Sequence, residues 1–518
     1  MLATRILDEA LERRGEGCAV ACGGESLSYA DARRRILRLS ATFRRLGVSP
    51  GERIVILHRN CHRFFETYFA ALHCGAILAP VNPRLAAPEM KSVLEDAGVS
   101  LIVSEPSTFL GLAPVFRRLP GLKAMLWTGP LPPFKSPLFL SYEQEIAGAE
   151  GPDPLEASLD DSAPAHLYYT SGSSGAPKGV VLTRGNLAAH AHAAAVELGL
   201  DRDVAWGHFA PMFHLADAWA VWAVTQSGGS HVFLPEFSAS GALALLESGK
   251  VNMTNMVPTM YHRILREPGL ECRSFPGLRL LLSGGAAMPA ETVMRILAAF
   301  RCEYAQTYGL TETSPFLTLS RPDTTAPGSL TRSEEIRLRC TTGRPLRGVQ
   351  VRVVDEAGAE VLRDGQAVGE IQARGPTVTP GYWNNPAETA ASFEEGWLKT
   401  GDLAVIGPEG YLTIVDRMKD LINTGGEKVY SLEVENALAA HPQVAESAVV
   451  AVPHPELGEA VLAVVVLRSP EAASPEELIA HCARHLTYFK VPKAIRIVVE
   501  LPKTASGKVL KRALREKA

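Results

Sequence analysis

Between about Arg53 and Thr307 the sequence alternates short apolar runs with longer stretches of helical period, and few folds accept that pattern. The apolar runs are Ile54–Leu57, Leu101–Ser104, Ala124–Thr128, His231–Leu234 and Leu278–Leu282. Helical stretches such as Ala188–Leu198 and Pro289–Ala299 lie between several of them. Alternating strands and helices build parallel sheets covered by helices on both faces. From about Gly343 to Val415 the texture changes to short strands separated by turn dipeptides such as Asp364-Gly365 and Glu409-Gly410, which predicts antiparallel strands or a small barrel. After Asp420, a helix over Glu433–Ala440 and strands over Ala445–Val452 and Ala460–Leu467 predict an α+β domain. A chain of 518 residues exceeds one ordinary core. The expectation is an α/β protein: a large N-terminal domain, 1–415, of helix-covered parallel sheets with a β-barrel-like subdomain over about 343–415. A boundary segment, 416–420, then leads to an α+β C-terminal domain, 421–518.

Apolar content of 46% and charge of 21% are those of a folded globular chain, and a net charge of −4 leaves no nucleic-acid footprint. Met1–Gly17 carries charges throughout and reads as an amphipathic helix rather than a signal peptide. No apolar run is long enough to span a membrane. The eight cysteines (18, 22, 61, 74, 272, 302, 340 and 482) are scattered and form no CxxC pair. They read as reduced core thiols of a cytoplasmic protein. His58, Cys61 and His62 resemble metal ligands, but no second ligand pair accompanies them. His190 and His192, two apart on a predicted helix, point to different faces.

The stretch Tyr169-Thr170-Ser171-Gly172-Ser173-Ser174-Gly175-Ala176-Pro177-Lys178-Gly179-Val180 follows the apolar segment His166–Tyr169. No packed core needs three glycines, a proline and four hydroxyls in a row. A loop that wraps an anion does: glycines admit backbone N–H groups, hydroxyls donate and Lys178 adds a charge. Pro177 before the lysine and Gly179 after it separate this loop from GxxxxGK[ST].

Ser-Gly-Ser-Ser-Gly-Ala-Pro-Lys-Gly resembles the phosphate loop of the adenylate-forming superfamily, which comprises acyl-CoA synthetases, adenylation domains and luciferases. Further matches follow in that superfamily's order over most of the chain. The resemblance implies that Thr170, Ser171, Gly172, Ser173, Ser174, Gly175 and Lys178 hold the β- and γ-phosphates of ATP. In Gln306-Thr307-Tyr308-Gly309-Leu310-Thr311-Glu312, it sets Tyr308 against adenine, Thr311 toward phosphate and Glu312 on Mg²⁺. Alone, Glu312 would read as a helix N-terminal charge. Ser283-Gly284-Gly285-Ala286-Ala287 would line the adenine and acyl pockets with backbone; its plain alternative is a strand-to-helix turn. Asp402, in Lys399-Thr400-Gly401-Asp402, would accept the ribose hydroxyls. Arg417 would contact ribose or phosphate, and Lys419 is the matching hinge position. Gly425, Gly426 and Glu427 match the segment that meets the adenylate and the thiol arm, although a Gly-Gly turn needs no ligand. Lys508 matches the mobile lysine that bridges carboxylate and α-phosphate. His214, in Pro211-Met212-Phe213-His214, would border the acid. A histidine there argues against an α-amino acid substrate, and Asp217 either reaches a polar substrate group or pairs within its helix.

The resemblance implies an AMP-forming acid–thiol ligase with a mobile C-terminal domain. It would use ATP, Mg²⁺ and CoA to convert a fatty or aryl acid to its adenylate and then its thioester. The alternatives are loading of a carrier-protein thiol, a luciferase-like oxygenase and a non-catalytic acyl or nucleotide sensor. Ser173-Ser174, where threonines are usual, and Ser431, where fatty-acid members often have proline, leave the chain length of the acid open.

Overall fold

Runs of Val, Ile and Leu without polar alternation have to be buried on both faces, and these are. The computed structural model describes residues 5–131, 136–149, 160–171, 177–323, 330–469, 472–503 and 509–516. The chain packs as two units: Met1–Val351 with Ala373–Leu398, and Arg352–Gln372 with Lys399–Ala518. The predicted boundary segment Asp416–Asp420 lies inside the second unit.

The first unit holds two sheets. One has seven strands in the order Phe139–Ser141, Ala124–Trp127, Val99–Ser104, Arg53–Leu57, Ile77–Pro80, Pro164–Ser171 and Pro177–Thr183. All neighbours are parallel except the last pair. The other has nine strands. Ala205–His208, Met253–Met256, Leu280–Ser283 and Glu303–Gly309 run parallel through its middle. At one edge Cys18–Cys22 pairs in parallel with Ser230–Phe233 and antiparallel with Glu25–Ser28, a hairpin absent from the sequence reading. One core gathers Val55, Leu57, Ile102, Met125 and Trp127, and another gathers Leu243, Met256, Leu281, Val293 and Tyr304. Each such side chain contributes about 1.5–3 kcal/mol of burial.

Local signals set the helix ends. Arg184–Leu198 starts at Thr183, whose Oγ1 accepts from Asn186 N at 3.1 Å while Asn186 Oδ1 accepts from Thr183 N at 2.9 Å. It stops at Gly199, φ 64°, a left-handed position that glycine adopts without strain. The N-terminal helix is Arg5–Arg14, with Ile6, Leu7 and Ala10 buried.

In the second unit, strands Glu427–Val429, Ile422–Thr424, Gly458–Leu467 and Val444–His454 form a sheet in that order, and Ala494–Ile497 pairs in parallel with Gly458–Leu467. Alternation divides its faces. Val449, Val461 and Val465 meet the helices Ser431–Ala439 and Pro475–His485 through Val434, Leu438 and Leu478. Val450, Leu462 and Val464 meet Leu501 and Leu514 on the other face. Trp397–Ile406 and Leu412–Arg417 pair antiparallel, with Asp402 opposite Arg417.

All eight cysteines are free. The reading of them as core thiols needs correction: Cys61, Cys74 and Cys482 are buried, but Cys272 is exposed because it ends a surface turn. Among the described residues no three His, Cys, Asp or Glu side chains gather as a metal site, and no helix is long and apolar enough to cross a membrane. His58 is engaged by Thr128 Oγ1 (2.7 Å), and His190 Nε2 accepts from Phe316 N (3.3 Å).

Candidate active site

Parallel strands end together, so the loops after them converge; open α/β sheets bind ligands at such edges. Ser283 ends Leu280–Ser283 and lies in register with Gln306 of the neighbouring strand. The chain then turns through Gly284 and Gly285, the latter at φ 87°. A Cβ on Gly284 would sit 2.6 Å from Thr307 Oγ1, and one on Gly309 would sit 1.7 Å from the Pro315 carbonyl oxygen. Gly284 thus lets its turn approach Thr307, and Gly309 lets its strand approach Pro315, because neither carries a side chain. Gln306 and Thr307 are buried, Tyr308 and Gly309 half-buried, and Gly285, Ala286 and Ala287 exposed.

Thr311 and Glu312 follow on a single 3₁₀ turn, Thr311–Thr313. Thr313 Oγ1 fixes that turn by accepting from Leu310 N (3.0 Å) and donating to the Pro315 carbonyl (2.6 Å). Glu312 Oε1 accepts from the Tyr382 hydroxyl at 2.9 Å. Burial, and then the Glu312 charge, raise the Tyr382 pKa, so the phenol stays a donor. The Glu312 carboxylate is a hard anionic oxygen ligand of the kind Mg²⁺ takes, with the Thr311 hydroxyl beside it in the chain.

Thr170 and Ser171 lie opposite Lys178 and Pro177 where the strands Pro164–Ser171 and Pro177–Thr183 meet. Gly172, Ser173, Ser174 and Gly175, which join them, lie outside the described residues, as does Lys508. Lys178 Nζ pairs with Glu388 and lies 5.8 Å from the centre of the Tyr382 ring. Tyr382 thus stands between Lys178 and Glu312. Gly381–Trp383 runs beside the strand: Val181 N donates to the Gly381 carbonyl (3.1 Å) and Trp383 N to that of Gly179 (2.7 Å). Neither Tyr382 nor Glu388 belongs to a motif read from the sequence.

His214 occupies the N-cap position of the short helix Leu215–Ala218, without a side-chain cap, and that helix follows the strand Ala205–His208. Asn60 fixes this stretch. Its Nδ2 donates to the His208 and Ala210 carbonyls (3.1 and 2.7 Å), and its Oδ1 accepts from Met212 N (2.9 Å). Asp217 is fully buried. It pairs with His208 Nδ1 at 2.8 Å, His208 Nε2 meets His231 Nδ1 at 2.9 Å, and His231 Nε2 meets Thr225 Oγ1 at 3.0 Å. Asp217's partner His208 lies on the strand Ala205–His208, so the expected pairing within the helix is replaced by a buried chain of four side chains, which lie 6 to 23 residues apart. Burial pushes the Asp217 carboxyl up against the opposing pull of His208, and burial with the charge of His208 holds His231 well down.

In the second unit Asp402, 3% exposed, accepts from Arg417 Nε at 3.1 Å. Asp416 is buried, accepting from Arg417 N (2.7 Å), Ser431 Oγ (2.9 Å) and Ser431 N. Burial raises its pKa. Lys419 is exposed on the turn Met418–Asp420, where Arg515 donates to its carbonyl (3.3 Å) and to Asp420 Oδ1 (2.6 Å). Gly425 and Gly426, at φ 60° and 88°, make the turn between Ile422–Thr424 and Glu427–Val429, which leaves Glu427 exposed.

Comparison with known proteins agrees with this architecture. The AMP-binding enzyme family matches residues 7–383, and the AMP-binding enzyme C-terminal domain matches residues 433–508. The chain is 37% identical to a long-chain-fatty-acid–CoA ligase of Thermus thermophilus, over 94% of this chain and 90% of that protein. It is 36% identical to a feruloyl-CoA synthase of Amycolatopsis sp, over 96% and 95%. ATP-bound MatB from Rhodopseudomonas palustris superimposes with a TM-score of 0.87 at 29% identity, covering 100% of this chain and 99% of that one. With both family matches in chain order over a fold of helix-covered parallel sheets and a separate α+β domain, the chain belongs to the AMP-binding enzyme family of ATP-dependent, AMP-forming ligases.

Proposed function

We propose that this AMP-forming acid–thiol ligase activates a fatty or aryl carboxylic acid and passes it to CoA. The carboxylate attacks the α-phosphorus of ATP, and pyrophosphate leaves to give the acyl-adenylate. The CoA thiol then attacks the acyl carbon, releasing AMP and forming the thioester. In the first step two anions meet, so the work of the site is charge neutralisation and alignment. Lys178 and the loop Thr170–Gly175 hold the outer phosphates. Tyr308, Gln306, Thr307 and Gly309, with the backbone of Gly285–Ala287, receive the adenine. His214 borders the acid, Asp402 takes the ribose hydroxyls with Arg417 beside it, and Lys508 bridges carboxylate and α-phosphate. Glu312, with Thr311, is the residue to hold Mg²⁺, which supplies charge neutralisation on the phosphates when bound. Lys419 serves as the hinge about which 421–518 turns, replacing Lys508 by Gly425, Gly426 and Glu427 for the thiol step. Eight free cysteines favour a reducing, cytoplasmic setting.

The observation that carries this reading is the cluster in which Tyr382 links Glu312 to the neighbourhood of Lys178. It sets a hard carboxylate and a cation beside one loop end. The test is AMP release from ATP by the full chain across a panel of fatty, aryl and amino acids, with and without CoA. Acid-dependent pyrophosphate release, with AMP turnover that needs CoA, is the expected result. Turnover with a carrier-protein thiol but not with CoA would replace the acceptor, and no acid-dependent pyrophosphate release would overturn the assignment.

A further inference from the structure

Lys178 is nearly enclosed, with 11% of its side chain exposed, and the only carboxylate paired with it among the described residues is Glu388. The local chain builds this contact deliberately. Asn385 Oδ1 accepts from Glu388 N (3.1 Å) and starts the helix Pro386–Ser392. Thr389 Oγ1 donates to the Asn385 carbonyl (2.9 Å) and accepts from Tyr382 N (3.0 Å). A Cβ on Gly381 would sit 2.5 Å from Thr389 Cγ2, so the turn closes tightly. One rigid segment thus presents Tyr382 to Glu312 and Glu388 to Lys178.

We infer that Glu388 is a positioning residue that competes with polyphosphate for Lys178. This rests on the reading of Lys178 as a phosphate ligand. A lysine ammonium next to a carboxylate is already neutralised, so a triphosphate has to draw it away from Glu388 and leaves that carboxylate as a like charge nearby. When pyrophosphate has formed, Glu388 recaptures the lysine and favours release. The residue thereby sets how tightly the site holds ATP and, above all, pyrophosphate, without touching either.

The test is calorimetric binding of pyrophosphate and of α,β-methylene-ATP to the full chain in four forms: unchanged, Glu388→Gln, Lys178→Ala and the double variant. Glu388→Gln should bind pyrophosphate about three- to tenfold more tightly, and the gain should shrink as salt is raised. The gain should vanish in the Lys178→Ala background, because Glu388 acts through the lysine. Unchanged or weaker binding by Glu388→Gln overturns the inference. A gain that persists without Lys178 also overturns it, as it would then be bulk charge repulsion. Wild-type pyrophosphate affinity in Lys178→Ala instead removes Lys178 from the phosphate site, and the reading beneath the inference falls. Should Glu388→Gln fail to fold by circular dichroism, Glu388→Ala answers the same question.

Discussion

His166→Phe separates the chemistry of a buried imidazole from its shape. His166 lies on the strand Pro164–Ser171, 1% exposed, with neither ring nitrogen hydrogen-bonded. It packs edge-on to Tyr68 at 4.8 Å and against Trp222 at 5.4 Å. Burial lowers its pKa from 6.5 to about 3. The unfolded chain therefore takes up this proton near pH 6.5 while the folded one refuses it. Stability is fully present above 6.5, falls with decreasing pH and stops falling only near 3. Linkage gives a loss of about 1 kcal/mol between pH 7.0 and 5.5, and several kcal/mol over the whole window. Phenylalanine fills the same aromatic niche and cannot titrate. At pH 7.0 the variant should match or exceed the wild type, since it removes unsatisfied polar atoms. At pH 5.5 it should be ahead by about a further 1 kcal/mol. All six tryptophans belong to the first unit, so fluorescence-detected urea unfolding at the two pH values reports the right transition. An identical pH-dependent loss in both proteins would mean that His166 is not held neutral, and the reasoning would fail.

Glu312→Gln keeps the hydrogen bond from Tyr382 but loses the anionic oxygen; activity should fall and half-saturation should need more Mg²⁺, read from a metal titration of pyrophosphate release. Lys508→Ala should slow adenylate formation by more than about 100-fold, a loss of roughly 3 kcal/mol, while CoA still consumes supplied acyl-adenylate in single-turnover assays. Lys419→Pro fixes φ near −65° and removes an N–H, so the adenylation step should persist and the CoA step should fail, whereas Lys419→Ala should be mild. Equal, small effects of the proline on both steps would place the working hinge elsewhere.

Apolar runs such as Ile54–Leu57 were legible because strands buried on both faces carry no competing pattern, and helix ends such as Thr183 and Gly199 because capping is local chemistry. The loop after Tyr169 was legible from composition, since no core needs it. What escaped was set by distant partners. Asp217 sits one turn after His214, and nothing near it in sequence announces that His208 and His231 will take it inward. Asn60 holds Met212 from 152 residues away, and Glu388 reaches Lys178 across 210. Such pairings follow from topology, which periodicity does not encode.

The edge hairpin Cys18–Ser28 has a consequence in time. Its parallel neighbour is Ser230–Phe233, and Arg13 reaches across to the Gln226 carbonyl at 2.7 Å. During synthesis at about 5–20 residues per second, the hairpin emerges about 10 to 40 s before the strand it must join. For that interval the edge that Ser230–Phe233 will cover has no strand of its own to pair with, and an unpaired strand edge is a template for other chains.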